Sequence, residues 1–335
     1  MDLRSDTVTR PTAEMRRAMA DAEVGDDGYG EDPTVNELEA AYAERVGKAA
    51  GLFLPSGTMA NQVAVRVLAP PGSGVLAGRR QHVVAYERGA CAINAGVQLE
   101  TVDDTGGTIS PADLLSARRA SEYHRAPLRL VCIENAHMAA GGVAWPLDLL
   151  RELGRAAGDL PVHMDGARLF NAAVATRVSA AELAAPATTV MSCLSKGLGA
   201  PVGSLLAGPA DVIERARGER QRLGGGMRQA GVLAAAGLVA LTKMVDRLAE
   251  DHERARRLAE AVAARWPEAG LDPATVHTNI VVFSHPDPAA LLAHLETRRV
   301  RAGAIAPGTV RLVTHYDVDD GGIEQAARAI VDAPA

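Results

Sequence analysis

The chain has 335 residues, 47% of them hydrophobic and 23% charged, a globular composition with room for one large domain and a smaller one. Its net charge of −6, with basic residues interleaved among acids, argues against a nucleic-acid partner; the charged opening MDLRSDTVTR, and the absence of an apolar run near the roughly 18 residues a span needs, argue against a membrane one. Three cysteines, Cys91, Cys132 and Cys193, odd in number and in apolar or strand-like surroundings, point to reduced buried thiols and a cytoplasmic setting.

In chain order, helical periodicity first appears at Thr34–Val46, after a Pro33 suited to a first helical turn. A β-like run, Gly51–Leu54, leads through Ser56–Gly57–Thr58 into a helical pattern at Gly57–Leu68. Further β-like runs are Gly74–Ala77, Val83–Tyr86, Leu128–Glu134, Val162–Asp165 and Thr188–Cys193, with a helix at Leu147–Ala157. Alternating strand and helix signals predict a largely parallel sheet covered on both faces. Beyond Gly231 the texture changes. An alanine-rich helical region, Val232–Val262, readable as two helices meeting near Ala249–His252, precedes a strand at Asn279–Phe283, a helix at Pro288–Glu296, a strand at Thr309–Val313 and a helix at Gly322–Val331. This tail reads as a small α+β domain. The expected division is 1–245, with an N-terminal arm at 1–15, and 246–335.

Two of these runs end in chemistry. Val162–Asp165 stops at an acid followed by Gly166–Ala167–Arg168, and the next run stops short of Ser195–Lys196–Gly197, with further glycines at 199 and 203. A lysine amine can condense with an aldehyde, and an aspartate can keep a pyridine nitrogen protonated so that the ring accepts an electron pair. Singly, Ser-Lys and Asp-Gly are ordinary turn pairs. Together, in this order and each after a β-like run, they predict a pyridoxal 5'-phosphate site.

Seven segments, LRSDTVTRPT at 3–12, VGDDGYGEDPTVNELE at 24–39, LPSGTMANQVA at 54–64, HMDGARLFNAA at 163–173, SCLSKGLGAPVGS at 192–204, RLGGGMRQAG at 222–231 and VRLVTHYDV at 310–318, together resemble the threonine aldolase family of fold type I pyridoxal phosphate enzymes. The resemblance implies an aspartate aminotransferase-like large domain with a small C-terminal one, a homotetramer built from dimers with active sites at the dimer interface, and cleavage of L-β-hydroxy-α-amino acids to glycine and an aldehyde. It implies that Lys196 carries the cofactor, Asp165 faces its ring nitrogen, Ser56, Gly57 and Thr58 hold its phosphate at a helix N-terminus, and His82, five residues before Glu87, stacks on its ring. Arg228 would reach the phosphate from a neighbouring subunit, helped by Arg222 where the family often has lysine. Arg311 would grip the substrate carboxylate in a fork, assisted by Ser5 and Arg168, the latter also close to the cofactor's phenolic oxygen. No metal is expected.

At 134–138 the chain departs from the family's usual Glu-Asn-Thr-His-Asn, reading Glu134–Asn135–Ala136–His137–Met138. His137 is kept, for contact with the substrate β-hydroxyl, while two polar groups are lost where the substrate side chain is expected. His82 and His137 are both candidates for the base that takes the hydroxyl proton. Two other classes stay open at this level: β-elimination, racemisation or amino transfer through the same Lys196 and Asp165, and a catalytically silent cofactor-binding regulator.

Overall fold

A computed structural model describes residues 1–119 and 124–334. Its larger sheet contains β1 (Ala50–Leu54), β2 (Gly74–Gly78), β3 (Gln98–Val102), β4 (Leu128–Glu134), β5 (Val162–Asp165), β6 (Thr189–Cys193) and β7 (Ser204–Gly208), in the order β1-β7-β6-β5-β4-β2-β3. Only β7 runs against the others, antiparallel to both β6 and β1.

Alternation along the strands explains why both faces are covered. In β1, Leu52 and Leu54 pack with Ala60, Val63 and Ala64 of the helix Gly57–Leu68 and with Ile213 and Ala216 of the helix Ala210–Arg222. Phe53, pointing the other way, joins Leu38 and Tyr42 of the helix Pro33–Arg45 and Leu150 and Leu153 of the helix Leu147–Ala157. Full burial of such a side chain contributes about 1.5–3 kcal/mol, so the two faces fix which side of each strand end is left for a site.

A second core lies under the sheet β8 (Ile280–Ser284), β9 (Gly303–Ala306) and β10 (Thr309–Val313), in the order β8-β10-β9. The helix Leu248–Arg265 serves both cores: Leu248 packs in the first, Ala255, Leu258 and Val262 in the second. Leu3 is fully buried in the second core, its N–H donating to the Arg301 carbonyl at 2.7 Å and its carbonyl accepting from Val313 N–H at 2.8 Å. The start of the arm expected at 1–15 therefore packs with the C-terminal unit.

The run Val83–Tyr86 is a helical turn, His82–Ala85, and not a strand. Both edges of its neighbour β2 are already paired, to β3 and β4, and the first N–H of the turn, on His82, donates to Glu134 Oε2 at 2.7 Å. The helical tail is two helices, Gly231–Lys243 and Leu248–Arg265, parted at 244–247 and not at 249–252. Strands β3, β7 and β9 carried no recognised signal. The half-exposed β3, Gln-Leu-Glu-Thr-Val, has a polar edge-strand composition.

Candidate active site

In a mainly parallel sheet, chemistry gathers beyond the carboxyl ends of the strands. Here Asp165 ends β5, Glu134 ends β4, Lys196 follows β6, and Ser56 follows β1. Ser56, Gly57, Thr58, His82, Asp165 and Lys196 line one cleft.

Asp165 is 6% exposed, and its oxygens accept from Asn61 Nδ2 at 2.7 Å and Ala167 N–H at 3.0 Å. Burial alone would raise its pKa; the charges of His82 and Lys196 and these two hydrogen bonds outweigh it and hold the carboxyl below its usual range. Asn61 is oriented in turn: its Oδ1 lies 3.0 Å from His163 Nε2, and His163 Nδ1 lies 2.9 Å from the Thr189 hydroxyl. Burial depresses the His163 pKa and keeps that imidazole neutral.

His82 Nδ1 lies 2.8 Å from Glu87 Oε1, and the buried Glu87 carboxylate also accepts from Asn61 and from Gln62 Nε2 at 2.6 Å. The ring is thus held by Nδ1. Burial would lower the His82 pKa, but the Glu87 hydrogen bond and the charges of Asp165 and Glu87 raise it. Lys196 is half-buried, and its amine makes no hydrogen bond among the described residues. Its carbonyl accepts from the Thr9 hydroxyl at 3.0 Å.

In the same cleft, Ser56 Oγ caps the helix Gly57–Leu68 by accepting from Met59 N–H at 3.2 Å. A Cβ on Gly57 would sit 2.8 Å from Cys193 Sγ. Only glycine lets this helix start so close to the end of β6.

The arginines behave differently from one another. Arg168 is buried and paired as a fork with Asp6, Nε to Oδ2 at 2.8 Å and Nη2 to Oδ1 at 2.6 Å. Arg311 has no carboxylate partner among the described residues. Its Nη2 donates to the Arg4 carbonyl at 2.9 Å, its Nη1 lies 3.1 Å from Met138 Sδ, and its buried Nε is without a partner.

His137 does not line the cleft. It is 0% exposed, with Nε2 2.9 Å from Asp104 Oδ2 and Nδ1 accepting from Ala140 N–H at 3.2 Å, so both ring nitrogens are occupied. His137 also caps the turn Met138–Ala140. Ser5 Oγ accepts from Thr7 N–H at 3.2 Å and from the Thr7 hydroxyl at 2.9 Å, and Thr7 lines the cleft. Ala136 is packed in the main core, and Met138 touches Arg311. Arg222 and Arg228 are exposed surface residues near Glu219 and Asp26, and neither lines this chain's own cleft.

Sequence reading missed Asp6, Asn61, His163 and Glu134. His163 carried a signal, standing two residues before Asp165 and so on the same strand face. Glu134, whose Oε1 accepts from Met138 N–H at 2.8 Å, ties the turn at 138–140 to the turn at His82.

The family model described as beta-eliminating lyase matches residues 2–286. The low specificity L-threonine aldolase of Escherichia coli is 41% identical over 332 residues, covering 98% of this chain and 97% of that protein. A probable low-specificity L-threonine aldolase 2 of Arabidopsis thaliana is also 41% identical, over 97% of this chain and 94% of that one. The solved structure of Leishmania major threonine aldolase superposes with a TM-score of 0.83 over 98% of both chains at 19% identity, a likeness of fold.

Proposed function

We infer the reaction from one premise: this chain belongs to the beta-eliminating lyase family, and within it to the low-specificity L-threonine aldolases it matches along almost its whole length. It is a pyridoxal 5'-phosphate-dependent aldehyde-lyase that cleaves L-threonine and related β-hydroxy-α-amino acids to glycine and an aldehyde. The observation that carries this reading is the shared cleft, in which an amine with no hydrogen-bond partner among the described residues and a carboxylate held ionised by the charges of His82 and Lys196 and by two hydrogen bonds stand beside a helix N-terminus. Those three features fit the aldehyde, the ring nitrogen and the phosphate of the cofactor. Once bound, pyridoxal phosphate supplies the carbonyl for an amine and a ring that accepts the electron pair of the Cα–Cβ bond.

The chain's own groups do the rest. Lys196 provides the amine and carries protons at Nζ. Asp165 presents its anion to the ring nitrogen, with Asn61 and His163 orienting it. The N–H groups at 56–58 receive the phosphate. Arg311 takes the substrate carboxylate, its unpartnered Nε offering one arm of the fork, and Arg168 stands behind it. His82, held at Nδ1 by Glu87, presents Nε2 to the cleft and takes the β-hydroxyl proton there. We assign this base to His82, a choice the burial of His137 supports.

Purified protein should release acetaldehyde from both L-threonine and L-allo-threonine. A single imidazole can distinguish the two hydroxyl orientations by one hydrogen bond, about 1–3 kcal/mol, or roughly ten- to two-hundredfold in rate. A kcat/KM ratio above about a thousandfold between them would show that another residue reads Cβ. Racemisation or amino transfer through the same Lys196 and Asp165 would give no aldehyde, so the assay separates the classes.

We also propose a homo-oligomer, a tetramer built from two dimers, in which Arg228, with Arg222 beside it, completes the phosphate site of a second copy. The supporting observation is that both side chains are 70% exposed and lie outside their own cleft. Dilution that yields monomers should release cofactor, and Arg228→Ala should weaken cofactor retention at all concentrations. A monomer fully active in the analytical ultracentrifuge would defeat this. The division into 1–245 and 246–335 and a cytoplasmic location complete the proposal; among the described residues no helix is long and apolar enough to cross a membrane, and the three cysteines are free and buried.

A further inference from the structure

The first ten residues pass the site and meet its cations in turn. The Arg4 carbonyl holds Arg311, the Asp6 carboxylate holds Arg168, and the Thr9 hydroxyl holds the Lys196 carbonyl. Asp6 stands out, because it is fully buried and carries a charge. Its Oδ1 lies 2.6 Å from Arg168 Nη2, and its Oδ2 lies 2.8 Å from Arg168 Nε and 3.1 Å from Asn279 Nδ2. Burial would raise its pKa, but the charge and hydrogen bonds of Arg168, with Lys196 and Asn279, hold it well below the usual carboxylate range. Arg168 is therefore a compensated cation. Arg311, near enough to Arg168 and to Asp6 to feel both charges, makes hydrogen-bond contact among the described residues with a peptide carbonyl and a thioether and with no carboxylate.

We propose that Asp6 sets the charge class of the substrate: by cancelling Arg168 it leaves Arg311 as the only uncompensated guanidinium of the pair, so that the site takes amino acids with one carboxylate and rejects those with a second on the side chain. This rests on the aldolase reading above. A second carboxylate brought beside Arg168 would lose its water against a guanidinium whose charge Asp6 already balances. Asp6 touches neither substrate nor cofactor in this account. It is a positioning residue acting through Arg168.

The test compares L-β-hydroxyaspartate with L-threonine. In the unaltered protein kcat/KM should favour threonine by about tenfold or more, the effect of one uncompensated charged contact. Asp6→Asn keeps the shape and removes the charge. It should shrink that preference by about tenfold, and adding Arg168→Gln should restore it, since the charge count is then that of the original site. A merely structural role would depress both substrates together, so a ratio unchanged within about twofold in Asp6→Asn would overturn the proposal. Calorimetry on the unaltered protein with succinate and propionate, which do not react, keeps the test open if Asp6→Asn does not fold: succinate should bind no more tightly, and tighter binding of succinate would overturn it. Failure of threonine itself to release acetaldehyde would count against the aldolase reading instead, and leaves the calorimetric comparison standing.

Discussion

Lys196→Ala should remove covalent attachment of the cofactor and lower kcat for threonine cleavage by at least about 10³-fold, the range expected when nucleophile and proton carrier are lost together. The native protein should be yellow, and borohydride should fix the cofactor to the peptide containing Lys196. The expectation follows from the geometry: the amine makes no hydrogen bond among the described residues, while its neighbours Asp165 and Asp6 are both held in the charged form. No packing or capping role accounts for that placement. Peptide mapping that found the label on Lys48 or Lys243 would overturn the assignment, as would a Lys196→Ala enzyme retaining a tenth of the native rate. Lys196→Arg offers a useful control, because it keeps the charge near Asp6 and Asp165 but cannot attack the aldehyde. It should be as inactive as the alanine variant.

The parts of this site that were legible in the sequence are those whose signal is local. Asp165 ends one short strand, Lys196 follows another, and Ser56 opens an apolar helix, so a run, a stop and a reactive residue could be read together. The partner of His137 was not legible, because Asp104 lies thirty-three residues away, just past β3. Strand β3 is half-exposed and polar, and without it nothing places Asp104 beneath the end of β4. Asp6 was missed for a similar reason. Within MDLRSDTVTR it looks like one more solvated charge, and only the fold, closing 162 residues, brings Arg168 to it. The turn at His82–Ala85 was misread because two adjacent valines outweighed the missing edge on β2, a constraint visible only once the strand order is known.

Asp165→Asn should be the most informative single change after Lys196, because it alters charge while leaving nearly the same shape. The asparagine can still accept from Ala167 N–H or from Asn61, but it no longer places an anion against the ring nitrogen. The ring then accepts the Cα–Cβ electron pair less readily, and kcat should fall by about 10²–10⁴-fold. A second consequence has a sign fixed by the site itself. Asp165 is among the charges that raise the His82 pKa, so removing it lets burial pull that pKa down. His82 acts as a base only when unprotonated, and the acid limb of the kcat/KM profile should therefore move to lower pH in Asp165→Asn, even as the plateau drops. Glu87→Gln should move the limb in the same direction through the direct hydrogen bond, without the large loss at the ring. A drop in the plateau with an unmoved acid limb would show that His82 is not the group whose ionisation controls the reaction; an Asp165→Asn enzyme within about tenfold of the native kcat would show that the ring nitrogen does not depend on this carboxylate.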